Sequence, residues 1–259
     1  MFVIPMAGES RRFAEAGYDV PKYQLRAHGD SVFAHAVRSF INYFSLESFL
    51  FIFRDVQGTG NFLRSECDRL KIRNARYIAL DLMTKGQGET VALGLDRAGV
   101  PDNEPITIFN IDTVRLDFIH PEIDCNGYLE VFVGEGDAYS FVRPDAERTG
   151  LVAETSEKRP ISNLCSNGLY HFRRAGDFRW AYAHPMPPKG DAERRERYVA
   201  PLYNSLISRG DRIGFRLVDR SQLISFGTPE EFATAQSSDE IACLLANSSA
   251  RSSRGVHAV

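Results

Sequence analysis

The sequence predicts an α/β protein in three layers: a mixed, mostly parallel, doubly wound sheet with helices on both faces. Three observations carry that prediction. Short apolar runs recur through the first 110 residues, they alternate with segments of helical period, and beyond residue 127 strand-like runs continue without helices between them. A strand buried on both faces needs an almost continuous apolar run, whereas a strand with one wet face alternates.

The first strand is expected over residues 2–6, followed by strands over 48–53, 75–80 and 105–110. Helical patterns separate the later ones, over 31–43, 60–70 and 88–98. Strands joined by helices pair in parallel, and right-handed crossovers place helices on both sides of the sheet, a Rossmann-like layout. The runs over 128–133, 138–142, 150–155 and 167–172 are expected to be antiparallel strands that extend or cover the sheet. Helical period returns over 194–208 and 229–246, around two last strands over 213–218 and 222–225. No linker rich in Pro, Gly or Ser divides the chain, so residues 1–246 are expected to form one domain. The polar, low-complexity stretch from 247 to 259 is expected to be a flexible tail.

At 259 residues the chain can bury a full core. Hydrophobic residues at 43% and charged ones at 25% are globular values that argue against disorder. The net charge of -3 gives no overall attraction to nucleic acid or an anionic membrane, so neither is expected as a partner. Any phosphate site must be local. The apolar start has no basic n-region, and no apolar run approaches membrane-spanning length, so a cytoplasmic location is expected. Cys67, Cys125, Cys165 and Cys243 form no CxxC pair or metal-ligand spacing and read as reduced thiols. The six histidines are scattered and read as structural or solvated. A homo-oligomer is left open.

Ligands of open α/β sheets bind beyond the carboxyl ends of the strands. After the first strand comes Met6-Ala7-Gly8-Glu9-Ser10-Arg11-Arg12-Phe13, then Pro21-Lys22. A turn of small residues after a buried strand lets backbone N–H groups approach an anion. Arg12 can add a bidentate phosphate contact and Lys22 a point charge. Taken alone, the segment equally describes an ordinary strand–helix turn with surface cations. After the fourth strand stands Asn110-Ile111-Asp112-Thr113. A carboxylate at a central strand end has to be solvated, paired or metal-bound. Mg²⁺ suits one or two carboxylates completed by triphosphate oxygens and water. Alone, Asp112 equally describes a cap or turn; together the two segments point to an NTP·Mg²⁺ site.

With these segments in view, the chain resembles the nucleotidyltransferases that act on sugar phosphates and related small phosphates. Ala7-Gly8-x-x-x-Arg12 with Pro21-Lys22 resembles their amino-terminal signature. Thr84-Lys85-Gly86-Gln87-Gly88-Glu89-Thr90 resembles their base-proximal loop, and Phe109-Asn110-Ile111-Asp112-Thr113 their metal-binding strand end. Glu157-Lys158 and Ser166-Asn167-Gly168-Leu169-Tyr170-His171-Phe172 resemble their acceptor segments, and Gly227-Thr228-Pro229-Glu230-Glu231 their closing turn. The match runs in order over residues 1–235.

The resemblance implies a GT-A-like nucleotidyltransferase fold. It also implies Mg²⁺-dependent transfer of NMP from an NTP (CTP, UTP or dTTP) to a sugar phosphate or other small phosphorylated acceptor. Pyrophosphate would leave, and surface polysaccharide biosynthesis is the implied setting. Met6, Ala7, Gly8, Glu9, Ser10 and Arg11 would surround the nucleotide, with Gln87 and Gly88 against the base. Arg12 would contact the departing pyrophosphate, Lys22 the α-phosphate, and Asp112 the metal. Glu157 would read acceptor hydroxyls or an amine, Lys158 the acceptor phosphate, and Asn167 and Gly168 would line that pocket. Such chemistry asks for positioning and charge neutralisation, and an acceptor phosphate is already a nucleophilic anion, so no general base is needed.

The pattern departs at three positions. Ser10 stands where the family usually has Gly, Arg11 replaces a small hydroxyl residue, and Phe226 stands where many sugar-1-phosphate members carry a second metal-binding Asp. Asp219 or Glu196 is the candidate substitute. The Phe226 departure speaks against an ordinary sugar 1-phosphate acceptor and, with the Gln87 loop, resembles the branch of the family that transfers cytidylyl to phosphocholine-like or other non-sugar acceptors, which implies CTP first among the pyrimidines. The Gln87 amide can pair with cytosine, and with uracil or thymine as well. Two rivals share the fold class: a GT-A glycosyltransferase, for which Asp112-Thr113-Val114 lacks the second acid, and a non-catalytic nucleotide-binding regulator, suggested by Ser10 and Phe226. A dehydrogenase lacks its G-x-G-x-x-G.

Overall fold

The computed structural model describes residues 1–251; residues 252–259, most of the expected tail, lie outside the described residues. The chain opens with β1 (Phe2–Met6) and the short helix α1 (Arg11–Glu15). A hairpin of β2 (Arg26–Ala27) and β3 (Asp30–Ser31) leads into α2 (Val32–Val37), which tightens into a 3₁₀ stretch (Arg38–Tyr43). Then come β4 (Phe49–Arg54), α3 (Thr59–Leu70), β5 (Ala75–Leu80), α4 (Gln87–Arg97) and β6 (Ile106–Phe109). The second half holds β7 (Thr113–Arg115), β8 (Gly127–Val133), β9 (Ser140–Pro144), β10 (Val152–Glu157) and β11 (Leu164–Phe172). It continues with α5 (Ala175–Ala183), α6 (Asp191–Arg195), α7 (Leu202–Arg209), β12 (Ile213–Leu217), β13 (Leu223–Ser225), α8 (Pro229–Ser237) and α9 (Asp239–Arg251).

Strands β5, β4, β1 and β6 lie side by side in that order and pair in parallel. Antiparallel β11 continues the sheet beyond β6, and β9 and β10 follow it. β8 also pairs with β11, and β12 runs parallel to β8 at the rim. This is the mixed, doubly wound sheet that the sequence predicts.

The continuous apolar runs are explained by two cores, one on each face. Val3, Leu50 and Ile52 point to one side and pack with Val91 and Leu95 of α4, Phe178 of α5 and Leu206 of α7. Their neighbours Phe2, Ile4, Phe49, Phe51 and Phe53 point to the other side, against Phe33 and Val37 of α2 and Leu63 and Cys67 of α3. Each fully buried Leu, Ile or Phe contributes about 1.5–3 kcal/mol. Helix α4 lies close on the sheet because Gly94 has no side chain: a Cβ there would stand 2.1 Å from Ile52 Cδ1.

Three local expectations differ from the structure. The helical pattern over 194–208 is two helices, α6 ending at Arg195 and α7 starting after Pro201, because the Arg197 backbone between them is committed to the Lys85 carbonyl and the Gly88 N–H instead of a helix. The pattern over 229–246 is also two, broken at Ser238, whose extended backbone lets its hydroxyl accept from the Ile241 N–H and start α9. That helix runs to Arg251, beyond the boundary expected at 246. The short helix α5, with Ala175, Phe178 and Ala181 buried, was not anticipated. Among the described residues no helix is long and apolar enough to cross a membrane.

Candidate active site

The strand order reverses at the centre of the sheet. β1 leads on to β4 on one side, while β6 lies on the other, so the crevice beyond their carboxyl ends is a topological switch point. A cleft of about 670 Å³ opens there. Met6, Ala7, Gly8, Glu9, Ser10 and Arg11 from the first loop line it, together with Lys22, Gln87, Asp112, Glu157 and Gly168. Residues far apart in sequence are thus brought to one cavity.

The Ser10 backbone is one that favours glycine. It is left-handed, with φ 52° and ψ 33°, a conformation that costs a non-glycine residue roughly 1–2 kcal/mol. The hydroxyl offers a compensating contact, accepting from the Lys22 backbone N–H at 3.2 Å. The first loop and the lysine segment are thereby tied together. Lys22 Nζ then reaches across to Asp112 Oδ2 at 2.5 Å, both side chains about one-fifth exposed. Burial raises the Asp112 carboxyl, but the Lys22 charge and hydrogen bond, a backbone hydrogen bond and the field of Arg12 outweigh it and leave the pKa below the ordinary aspartate value.

Four of the predicted residues do not form the cleft wall. Arg12 is exposed on α1 and acts on Asp112 through its field alone. Gly88 is buried against Arg197, whose carbonyl accepts from its N–H at 2.6 Å. Asn167 turns inward: its amide donates to Glu130 Oε2 at 3.0 Å, and its oxygen accepts from Leu169 N–H at 3.0 Å. Glu130 is itself buried in an ion pair with Arg115, 2.8 Å away. Lys158, at φ 52°, donates to Tyr198 Oη at 2.9 Å and lies over its ring.

Glu157 closes the far end of the cleft and is 6% exposed. Ser140 Oγ donates to its Oε2 and lies 3.2 Å from Tyr170 Oη. Burial pushes the Glu157 carboxyl up to about 7, against the pull of the Ser140 hydrogen bond and the Lys158 charge. Glu193 and Glu196 add to the rise.

In segment 193–198 sequence reasoning picked out only Glu196, as a candidate substitute acid, and missed the rest. Glu193 accepts from the Glu157 backbone N–H at 3.3 Å, and Arg197 N–H donates to the Lys85 carbonyl at 2.6 Å. The segment therefore bridges the two ends of the cleft, and Arg195, Glu196 and Tyr198 line it. The run Glu193-Arg194-Arg195-Glu196-Arg197 looks like a solvated helix face, which hid it. Gly86 and Gly88 were the available signal: a Cβ on either would meet the Arg197 backbone within 2.9 Å.

Phe226 is fully buried, stacked 6.1 Å from His35 and packed near Phe232, and its N–H donates to the Asp112 carbonyl at 2.7 Å. It belongs to the core that supports Asp112. Asp219 caps a 3₁₀ turn outside the cleft, so of the two candidate substitutes only Glu196 faces it. Glu231 also approaches, as a Cβ on Gly227 would lie 3.2 Å from Glu231 Oε2 and 3.4 Å from Asp112 Oδ2. Glu231 Oε2 already accepts from Ser225 Oγ and the N–H groups of Gly227 and Thr228. Among the described residues no group of three His, Cys, Asp or Glu side chains gathers around a metal-sized space.

This fold, with a loop-lined cleft at the switch point, defines the chain as an α/β protein of the nucleotidyltransferase class. No family model and no curated protein matches it. Solved structures do. A nucleoside-diphosphate-sugar pyrophosphorylase from Vibrio cholerae RC9 is 47% identical, with 90% of this chain and 98% of that one covered and a TM-score of 0.85. The chain belongs to that family, the sugar-phosphate nucleotidylyltransferases. Two distant structures share the fold: the inositol-1-phosphate CTP transferase from T. maritima (12% identity, 99% and 97% covered, TM-score 0.73) and a UDP-glucose pyrophosphorylase bound to UDP-glucose (17%, 98% and 98%, 0.68).

Proposed function

We propose that the chain transfers NMP from a pyrimidine NTP, CTP first, to a sugar phosphate or a related small phosphorylated acceptor, releasing pyrophosphate. The proposed setting is cytoplasmic supply of an activated sugar for surface polysaccharide biosynthesis. The observation that carries the reading is the Lys22–Asp112 pair, which joins the small-residue loop to the end of β6 inside the cleft. The name of the relative from Vibrio cholerae supports a sugar phosphate as acceptor.

Asp112 suits Mg²⁺, because a single protein carboxylate leaves positions for triphosphate oxygens and water. When bound, the ion supplies positive charge to the triphosphate. The first loop cradles the phosphates with backbone N–H groups, and Lys22 offsets the charge that builds on the α-phosphate. Arg12, exposed on α1, is assigned to the leaving pyrophosphate. Gln87 meets the base at one end of the cleft, and Glu157 accepts from acceptor hydroxyls at the other. Lys158 and Tyr198 flank the acceptor phosphate. The attacking oxygen is an anion at neutral pH, so the protein needs to align it rather than deprotonate it.

Pyrophosphate release over a panel of five NTPs and several sugar phosphates and related small phosphorylated acceptors, with Mg²⁺, tests the proposal. Turnover is expected with a pyrimidine nucleotide. A preference for ATP or GTP removes the base assignment and leaves the transfer standing. Nucleotide binding without turnover on any acceptor points to a regulator, and turnover of a nucleotide-sugar with a sugar acceptor points to a glycosyltransferase.

A further inference from the structure

Asn110 stands at the carboxyl end of β6, two residues before Asp112, and lines the cleft between its two ends. Its Oδ1 accepts from Gln87 Nε2 at 2.6 Å, and its backbone N–H donates to the Gly168 carbonyl at 3.3 Å. Gly168 has φ +88°, and a Cβ there would lie 2.3 Å from Asn110 Nδ2 and 2.5 Å from Cγ. The bare glycine is therefore what lets the Asn110 amide lie against β11 and reach α4. Gln87 is the first residue of that helix, and its nitrogen is the atom committed to Asn110. Its carbonyl oxygen takes part in no hydrogen bond among the described residues.

We propose that Asn110 is a positioning residue for nucleotide selection: it holds the Gln87 amide so that the carbonyl oxygen is offered to the base. A primary amide that can flip places either its oxygen or its nitrogen at a given point, whereas one pinned through its nitrogen keeps the oxygen in one place. The base it selects presents an N–H at that edge, which in a pyrimidine is the N4 amine of cytosine or the N3–H of uracil and thymine. This rests on the reading of Gln87 as the residue that meets the base. In that arrangement the glycine of the acceptor strand serves the nucleotide end of the cleft by making room for Asn110.

A double-mutant cycle on Asn110→Ala and Gln87→Ala tests it. The readout is the dissociation constants of CTP, UTP, dTTP, ATP and GTP with Mg²⁺, set against inorganic tripolyphosphate, which has no base. Asn110→Ala is expected to weaken the best-bound NTP about 5-fold, the size of one lost hydrogen bond, with tripolyphosphate unchanged. In the Gln87→Ala background it is expected to have no further effect. Asn110→Asp keeps the accepting oxygen and is expected to preserve the ratio of NTP to tripolyphosphate affinity, even where its charge weakens both. It carries the test if the alanine variant does not fold. Equal loss of tripolyphosphate and NTP binding in Asn110→Ala, additive losses in the double variant, or a collapsed ratio in Asn110→Asp overturns the inference and leaves the proposed transfer standing. Wild-type protein that binds tripolyphosphate as tightly as every NTP overturns the base-reading role of Gln87 as well.

Discussion

Glu157→Gln should change how stability depends on pH. The buried Glu157 carboxyl is raised from the ordinary 4.5 to about 7, chiefly by burial. That difference corresponds to on the order of 3 kcal/mol, and with the side chain 6% exposed little of it is screened by solvent. Between the two values the folded protein keeps a proton that the unfolded chain releases. Its contribution is therefore full below pH 4.5 and is lost as pH rises toward 7. Glutamine keeps an accepting oxygen for Ser140 and cannot ionise. Urea unfolding of both proteins at several values from pH 5 to pH 8 is the assay. The variant should match the wild type near pH 5 and exceed it by about 2–3 kcal/mol at pH 8. Two curves that stay parallel across that range would refute the reasoning.

Gly94→Ala should destabilise the fold by about 1–3 kcal/mol, since the new methyl meets Ile52 at 2.1 Å, and the loss should shrink in an Ile52→Ala background. A urea midpoint above wild type for Gly94→Ala would contradict the packing of α4. Phe226→Asp should place a carboxylate in a fully buried site and lower stability by more than about 3 kcal/mol; a well-folded variant with tighter Mg²⁺ binding would show that the position belongs to the metal site. Lys22→Ala should lower kcat by roughly 10²–10³-fold, and a change confined to KM would mean that Lys22 binds substrate and transition state alike.

The strands of the first half were legible because their signal is local: a strand buried on both faces has to be apolar at every position, as Phe2 to Met6 are. The loop after β1, Asp112 and Glu157 were legible because their segments carry a family pattern and the switch point assigns them a place. What stayed hidden depends on contacts made across long separations. Asn167 belongs to an acceptor-like segment, but the buried Arg115–Glu130 pair claims its amide. Segment 193–198 has the charge pattern of a solvated helix, and only the backbone contacts of Arg197 with Lys85 and Gly88 show that it spans the cleft. Phe226 reads as a missing acid until its place beneath Asp112 is seen. Pro201 was a sequence signal for the start of α7, but the end of α6 at Arg195 depends on the distant backbone partners of Arg197.

The central claim is that Asp112 and Lys22 organise nucleotidyl transfer in the cleft between β1 and β6. Pyrophosphate release by wild type and Asp112→Asn, with Mg²⁺, CTP and the same acceptors, tests it most directly. Asparagine keeps the shape but gives up the ion pair with Lys22, so urea unfolding of the variant is measured alongside and release is compared where both proteins are folded. The account predicts Mg²⁺-dependent release by the wild type and its loss in the folded variant. Near-normal release by Asp112→Asn would contradict it.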